Sequence, residues 1–233
     1  MAPLSDDNAA HFRLMKANGS NARRFVVLSV ALLAAIAGVS RVDAADSMPA
    51  MAKKAPRPEL GSSAIFAPDG KLLVAAKQGE HVMIYRSADE GKTWSAPVAV
   101  NAQPEAISAD GENRPKLAFA ADGGLLVSWT HPFPKPNTGS VRLARADDGV
   151  NFAPPITVHQ DQAIITHRFE SMLTTPDNKV ILAWIDKRDL EAAKAAKTPY
   201  RGAGIYAAVS KDGGRSFQSE YKLTDHSCEC CRV

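Results

Sequence analysis

Alternating apolar and polar residues, interrupted by short polar turns, recur three times along the chain after residue 60. Each segment has an apolar run on either side of a turn that contains aspartate. Gly and Asn tolerate a left-handed turn backbone, and Asp bonds its own backbone, so each segment is predicted to form a β-hairpin. The segments are residues 64–77 (AIFAPDGKLLVAAK), 117–130 (LAFAADGGLLVSWT) and 172–185 (MLTTPDNKVILAWI).

A second hairpin follows the first in each unit, at residues 83–100, 142–158 and 206–223. Its turn is an octet, S-x-D-x-G-x-[ST]-[WF], which is complete in the first and third units; the middle unit keeps the Asp, Gly and aromatic positions. We expect a structural role, in which Ser and Asp accept backbone N–H bonds, the later hydroxyl bonds back to Asp, and the aromatic ring packs under the hairpin. The residues are Ser87, Asp89, Gly91, Thr93 and Trp94; Asp147, Gly149 and Phe152; and Ser210, Asp212, Gly214, Ser216 and Phe217.

Two hairpins in each unit give four strands, and the units start roughly 55 residues apart, a spacing typical of propeller blades. The sequence therefore predicts an all-β fold, a β-propeller of four-stranded antiparallel blades. The blades are expected at about 62–103, 113–160 and 168–225, with a fourth starting at residue 231. Because propellers have four to eight blades, three blades make an incomplete ring. We expect the remaining blades in a longer chain or, less favoured, in a second copy; a stable monomeric half-propeller is the least favoured alternative.

The octets and the double-hairpin layout resemble the Asp-box, or bacterial neuraminidase repeat, family of sialidase-like propellers. The resemblance covers residues from about 62 to 223. It implies a six-bladed propeller in which the octets are structural and lie on the face away from the active site. It also implies a relative of exo-α-sialidases or other glycoside hydrolases, with a glycan or small-molecule ligand. The alternative is a non-catalytic propeller that binds a glycan, a protein or a metal on its loop rim.

Candidate chemistry lies on the rim opposite the octet turns, in the loops that a rigid scaffold positions. Sialidases clamp the sugar carboxylate with three arginines, so the resemblance implies substrate binding by Arg114 and Arg168, with Arg188 as a further candidate; planar guanidinium groups suit this task. Ordinary rim ion pairs are the alternative. Asp186 and Asp189 are candidates for the acid and base of glycoside cleavage, or else for a solvated loop in which Arg188 pairs with Asp189.

The first unit departs from the sialidase pattern. The F/Y-R-I-P motif is absent, since the nearest match is R-P-E at residues 57–59, and the loop at residues 78–81 offers Glu80 but no aspartate. The tyrosine nucleophile and glutamate partner of that family would fall beyond residue 233. We therefore do not expect sialidase activity from this chain alone. Residues 190–197, LEAAKAAK, have helical composition and are predicted to form a short helix over the rim.

The N-terminal residues are typical of a targeting segment. The uncharged run FVVLSVALLAAIAGV, residues 25–39, follows Arg23 and Arg24 and precedes V-D-A. This is the pattern of a secretory signal peptide, residues 1–44, with cleavage after Ala44; a permanent anchor is less favoured because a spanning helix needs about 20 apolar residues. We expect a secreted or periplasmic protein without membrane association, a linker at residues 45–60 and a propeller domain at 61–233.

The net charge and the remaining motifs indicate which classes of partner, cofactor and metal to expect. The net charge is +3, but residues 1–44 hold five basic and three acidic residues, so the rest is almost neutral and lacks the basic stripe of a nucleic-acid partner. No cofactor motif is present. All three cysteines lie near the end, so His226, Cys228, Cys230 and Cys231 are candidates for a soft-metal site, or for disulfides. No role is assigned to His159 or His167.

Overall fold

The computed structural model describes residues 61–228, which form three four-stranded antiparallel sheets and one α-helix. Sheet 1 contains β1 (Ser62–Phe66), β2 (Leu72–Gln78), β3 (His81–Ser87) and β4 (Val98–Ala99). Sheet 2 contains β5 (Lys116–Phe119), β6 (Leu125–Pro132), β7 (Gly139–Ala146) and β8 (Ile156–Thr157). Sheet 3 contains β9 (His167–Thr174), β10 (Val180–Asp186), β11 (Ala203–Ser210) and β12 (Tyr221–Ser227). A 3-10 helix at Gly111–Asn113 precedes β5, and α1 (Arg188–Ala196) joins β10 to β11.

In every sheet the strands lie in chain order, each paired antiparallel with the next. The predicted all-β fold of four-stranded antiparallel sheets is confirmed, and the sheets are consistent with propeller blades. The predicted helix is also present, beginning two residues earlier than expected. The expected signal peptide, linker, Cys230, Cys231 and start of a fourth blade lie outside the described residues. Within residues 61–228, no helix is long and apolar enough to cross a membrane.

Two apolar cores lie between the sheets, one on each side of sheet 2. Leu73 and Ile84 of sheet 1 pack with Val127 of sheet 2, and on the other side Leu126 packs with Leu182 of sheet 3. In β6 six successive residues are buried, whereas β2 alternates between buried and half-buried residues. The continuous apolar run of β6 follows from its position, because both of its faces are covered.

The innermost strands β1, β5 and β9 lie side by side and form the hub of the arrangement. Pairing between β9 and β10 shifts register between Ala183 and Ile185. Opposite this irregularity Phe169 has a φ of 60°, a left-handed conformation that a bulky residue rarely adopts. The shift therefore changes the faces to which the side chains of β9 point.

The first octet turn is closed by its own side chains. The Ser87 hydroxyl donates to Asp89 at 2.7 Å and accepts the backbone N–H of Gly91 at 2.7 Å. Thr93 donates to Asp89 from its backbone N–H at 2.8 Å and from its hydroxyl at 2.7 Å. Hydrogen bonds from Thr93 are the main reason why the pKa of Asp89 falls to about 2.

The third octet turn repeats this arrangement. Ser210 donates to Asp212 at 2.6 Å and accepts the backbone N–H of Gly214 at 2.7 Å. Ser216 donates to Asp212 from its backbone N–H at 2.9 Å and also from its hydroxyl. Phe217 packs against the core between sheets 2 and 3.

The middle octet turn differs from the prediction. Asp148, and not Asp147, accepts the backbone N–H groups of Val150 at 2.9 Å and Asn151 at 2.7 Å. The reason is that Arg145 occupies the position of the turn serine, so no hydroxyl is present to organise the loop around Asp147. Asp147 instead accepts the Nε–H of Arg145 at 2.6 Å.

The aromatic residues of the three octets also differ. Phe152 packs against the core between sheets 1 and 2. Trp94, in contrast, remains 44% exposed and lines a surface cleft with Val74 and Tyr85. This cleft lies on the face of sheet 1 that no other sheet within residues 61–228 covers.

Candidate functional site

A polar pocket of about 420 Å³ opens where the three innermost strands meet. Residues of β1, β5 and β9 line it, together with the segment that leads into β5. We call it the hub pocket. Its charged residues are Glu112, Arg114, Lys116 and Glu170.

Glu170 is a buried carboxyl group at the wall of the hub pocket. Its side chain has no exposed surface, and its nearest cation is the Lys116 ammonium at 3.5 Å. The hydroxyls of Ser128 and Thr130 lie 3.3 and 3.1 Å from its two oxygens. Burial raises the pKa of Glu170, and burial also lowers the pKa of Lys116. A carboxyl held toward its neutral form is suited to donating a proton.

Arg114 and Lys116 bring positive charge to the same pocket. Lys116 donates to the backbone carbonyls of Glu112 and Arg114, the latter at 3.1 Å, which fixes its ammonium beside Glu170. Arg114 donates from Nη1 to Glu112 at 2.9 Å, and its side chain remains 37% exposed. An accessible guanidinium at the mouth of a cleft can bind an anionic ligand group in a bidentate manner.

Phe169 carries the backbone irregularity directly beside Glu170. Its N–H donates to Asn113 at 3.3 Å, and the Asn113 side chain is fully buried. Asn113 therefore helps to hold an unfavourable backbone conformation next to the pocket. Such conformations concentrate at functional sites, because the surrounding structure must compensate for them.

Arg168, the second predicted clamp residue, does not line the hub pocket. It is 9% exposed, with long contacts of 3.5 Å to Asn137 and 3.8 Å to Asp110. Its guanidinium lies over the Phe169 ring at 5.0 Å. The Nε–H has no hydrogen-bond partner within residues 61–228. Of the two predicted clamp residues, Arg114 alone lines the hub pocket, and Arg168 contacts residues of the loops at Asp110 and Asn137.

The remaining predicted site residues lie at the end of β10. Asp186 is fully buried and accepts two hydrogen bonds from the Arg188 guanidinium, at 3.0 and 2.7 Å. Asp189 accepts the Tyr206 hydroxyl at 2.9 Å and pairs with Lys222 at 3.1 Å. The ion pair of Arg188 is therefore made with Asp186 instead of Asp189. None of these three predicted residues lines the hub pocket.

The end of the chain is described only in part. The Nδ1 of His226 lies 2.8 Å from the carbonyl of Arg201, which makes this nitrogen the donor, and its ring is 5.0 Å from that of Tyr200. Cys228 is exposed. Cys230 and Cys231 lie outside the described residues, so the terminal soft-metal site stays a prediction.

Sequence reasoning did not identify Glu170 and Lys116. A signal was present, because each is a charged residue of an innermost strand, Lys116 at the start of KLAF in β5 and Glu170 within HRFESMLT in β9. A charged residue that faces a core needs a partner. The sequence alone does not show that the two positions face each other across neighbouring strands.

Comparisons with known proteins give information about the fold of the chain. No protein-family model matches the chain, and no curated protein matches its sequence. Among solved structures, the α-L-arabinanase of Penicillium chrysogenum complexed with arabinobiose has a TM-score of 0.52 at 17% identity, covering 72% of this chain and 50% of that one. A variant of the α-L-arabinofuranosidase Arb93A of Fusarium graminearum, in complex with an iminosugar inhibitor, has a TM-score of 0.51 at 15% identity, covering 71% and 48%.

The Hadza microbial sialidase Hz136 has a TM-score of 0.45 at 20% identity, covering 67% of this chain and 36% of that one, and it is too distant to bear on the fold. The first two likenesses are below 25% identity and therefore show the fold alone. The chain shares the fold of the matched parts of these two structures, and its three four-stranded sheets are consistent with propeller blades. It spans about half the length of those two structures.

Proposed function

We propose that the protein is an exported, sialidase-like propeller of the glycoside-hydrolase type that binds a glycan in its hub pocket. One observation carries the proposal: a buried carboxyl, Glu170, lies beside the cations Lys116 and Arg114 in an open polar pocket. The complex of the Penicillium arabinanase with arabinobiose supports a glycan as the class of ligand. Export is proposed from the signal-like residues 25–44.

The charges of the pocket favour a sugar with an acidic group. Arg114 binds the carboxylate of the sugar through its planar guanidinium, while Lys116 stays beside Glu170. Glu170, whose pKa is raised by burial, donates its proton to the leaving oxygen as the glycosidic bond breaks, and a water that gives its proton to Glu112 forms the new bond to the anomeric carbon. Glu112 is the second carboxylate of the pocket.

A second candidate function is glycan binding without cleavage. It is favoured by the Lys116 ammonium at 3.5 Å from Glu170 and by the two hydroxyls at its oxygens, since these groups satisfy the carboxyl inside the protein. On this alternative, Glu170 orients the pocket and transfers no proton.

Binding is tested by titrating the full chain with a sialylated, a uronic-acid and a neutral arabino-oligosaccharide in a calorimeter. We expect Arg114→Ala to weaken binding of the acidic glycans at least about tenfold, because a charge-assisted pair is lost. The matched control is Arg215→Ala, which removes a 48% exposed arginine from the octet rim. Equal binding by Arg114→Ala and the control, or binding of no glycan at all, would contradict the proposal.

Cleavage is tested separately with fluorogenic sialosides and arabinosides. If the protein is a hydrolase, Glu170→Gln abolishes turnover and retains binding. If the unaltered chain binds glycans without turning them over, the non-catalytic alternative is correct.

A further inference from the structure

Three potential ligand groups meet where sheets 2 and 3 approach each other at the end of β10. Asp161 comes from the loop after β8, His167 is the first residue of β9, and Asp186 is the last residue of β10. The last two are paired in register across the sheet. Their ligand atoms all lie within 4.8 Å of one another. We call these three residues the Asp-His-Asp cluster.

The atoms of this cluster face each other without hydrogen bonds. His167 Nε2 lies 3.5 Å from Asp161 Oδ2 and 3.6 Å from Asp186 Oδ2, which is too long for a hydrogen bond to either. The side chains of His167 and Asp186 have no exposed surface. His167 Nε2 has no hydrogen-bond partner within residues 61–228. A buried nitrogen that faces two carboxylates but forms no hydrogen bond with either requires an explanation.

The other ring nitrogen fixes the tautomer of His167. Nδ1 lies 3.1 Å from the carbonyl oxygen of Gly139, and a carbonyl can only accept. Nδ1 therefore carries a hydrogen, and Nε2 is the ring nitrogen that faces the two carboxylates, where its lone pair would serve as a metal ligand. A backbone carbonyl that orients the outer nitrogen is the usual arrangement of a metal-binding histidine. The stacked ring of His159, 4.0 Å from that of His167, holds the plane of the imidazole.

The charges around the cluster leave room for a divalent cation. Arg188 is the nearest fixed cation, and it pairs with Asp186, with Glu220 at 3.1 Å and, at 3.5 Å, with Asp161. Three carboxylates therefore face one guanidinium, and a ligating His167 would contribute no charge, which leaves two negative charges in a largely buried space. A divalent ion would neutralise them.

Arg188 and Trp184 act as outer partners of the same carboxylate. Arg188 Nε and its backbone N–H both donate to Asp186 Oδ1, and the Trp184 indole donates to Oδ2 at 3.0 Å. Arg188 Nη2 also donates to Oδ2 at 2.7 Å, so an ion bound at Oδ2 would displace this bond while Arg188 stays anchored through Oδ1 and Glu220. Asp161, whose side chain is 22% exposed, lies at the side from which an ion would enter.

We propose that Asp161, His167 and Asp186 form a binding site for a divalent transition-metal ion of the Zn²⁺ class. One imidazole and two carboxylate oxygens are a mixed donor set that suits Zn²⁺ better than Mg²⁺ or Ca²⁺, which take oxygen ligands. Three protein ligands leave a fourth position for water or a ligand. The site does not depend on glycan binding, since none of its residues lines the hub pocket.

The test measures Zn²⁺ alone, by calorimetry, on the tag-free full chain after removal of metal with a chelator. The chain carries the substitutions Cys228→Ser, Cys230→Ser and Cys231→Ser, so that the terminal thiols do not contribute. We expect one equivalent of Zn²⁺ to bind, a higher midpoint of thermal unfolding with Zn²⁺, and no response to Mg²⁺. Co²⁺ substitution should give visible d–d bands without a sulfur charge-transfer band.

Two variants locate the site. Asp161→Asn and His167→Gln should each weaken Zn²⁺ binding at least about tenfold. The matched control, His131→Gln, alters a half-buried histidine outside the cluster and should bind as before. If His167→Gln does not fold, as judged by circular dichroism, Asp161→Asn decides, because its loop position is partly exposed. The proposal is overturned if the cysteine-free chain binds no Zn²⁺, or if Asp161→Asn binds it as tightly as the control.

Discussion

Carboxylates in the octet turns differ from the interior carboxyl Glu170 in the sequence distance of their hydrogen-bond partners and in the direction of their pKa shifts. In the turns, the hydrogen-bond partners of Asp89, Asp148 and Asp212 within residues 61–228 lie no more than four positions away along the chain, and each aspartate has its pKa lowered to about 2. In the interior, Glu170 takes its hydroxyl partners from residues 40 and 42 positions away. Its pKa is raised, because burial removes water from the charged form.

This difference separates a structural from a functional use of charge. A turn carboxylate that is solvated and saturated with donors is stabilised in its ionised form and closes its own loop. An interior carboxyl is costly unless partners from other strands compensate for the loss of water. Groups in a cleft whose pKa is perturbed by desolvation are candidates for function, so Glu170 and Lys116 of the hub pocket stand out against the turns.

The largest expected effect comes from removing the interior carboxyl. Glu170→Ala leaves the half-buried Lys116 without its counter-ion and opens a cavity, so we expect a loss of about 3–5 kcal/mol in the free energy of unfolding. Glu170→Gln should cost less, because the amide keeps the volume, its oxygen can accept from one of the two hydroxyls, and its NH2 group can donate to the other. Urea unfolding followed by circular dichroism measures both.

The control for this prediction is Asp69→Ala in the exposed turn between β1 and β2, where the side chain is 55% exposed. It should leave the free energy of unfolding nearly unchanged. If Glu170→Ala were no more costly than this control, the interior carboxyl would not be desolvated, and the contrast drawn above would fail.

The strands and hairpins could be predicted from the sequence because their signals are local. Apolar residues alternate with period two, and the turn triplets at 68–70, 121–123 and 176–178 close hairpins by their own backbone preferences. The hydrogen bonds of the first and third octets follow from eight consecutive residues. Such signals do not depend on the rest of the fold.

The interior sites could not be predicted in the same way. The sequence shows that Lys116 and Glu170 are charged residues of innermost strands. It does not show that they contact each other, because that contact depends on how β5 lies against β9. The left-handed backbone of Phe169 and the register shift opposite it move the side chains of β9 to faces that strict alternation does not give. The acceptor of the middle octet turn was also not predicted. Arg145 stands where the other octets have serine, and Asp148 instead of Asp147 accepts the turn N–H groups.

An intermediate effect is expected at Arg145, which joins the two kinds of region. Its guanidinium is 7% exposed and bonds Asp122, Asp147 and the carbonyl of Gly213, so it connects sheet 2 to the third octet turn. Arg145→Ala should cost about 2 kcal/mol, because a buried charge-assisted network is lost.

Arg215→Ala is the matched control for Arg145. Arg215 bonds the same two aspartates, but its side chain is 48% exposed, so its ion pairs are screened by water. We expect its loss to be clearly smaller in the same urea experiment. Equal losses would show that burial does not decide the contribution of an arginine at this junction.

The smallest effect concerns the sign of the pH dependence. The folded pKa of Asp212 is about 2 against an ordinary value of 3.8, mainly because hydrogen bonds from Ser210 and Ser216 outweigh its burial. Its contribution to stability is therefore present above about pH 4 and is lost as the pH falls toward 2.

Glu170 has the opposite sign: its folded pKa is raised above 4.5, so stability falls as the pH rises through that folded value. Urea midpoints between pH 2 and 7 should show a shallower acid limb in Asp212→Asn and a shallower upper limb in Glu170→Gln, and a change in the same limb for both variants would contradict the distinction between the turns and the interior.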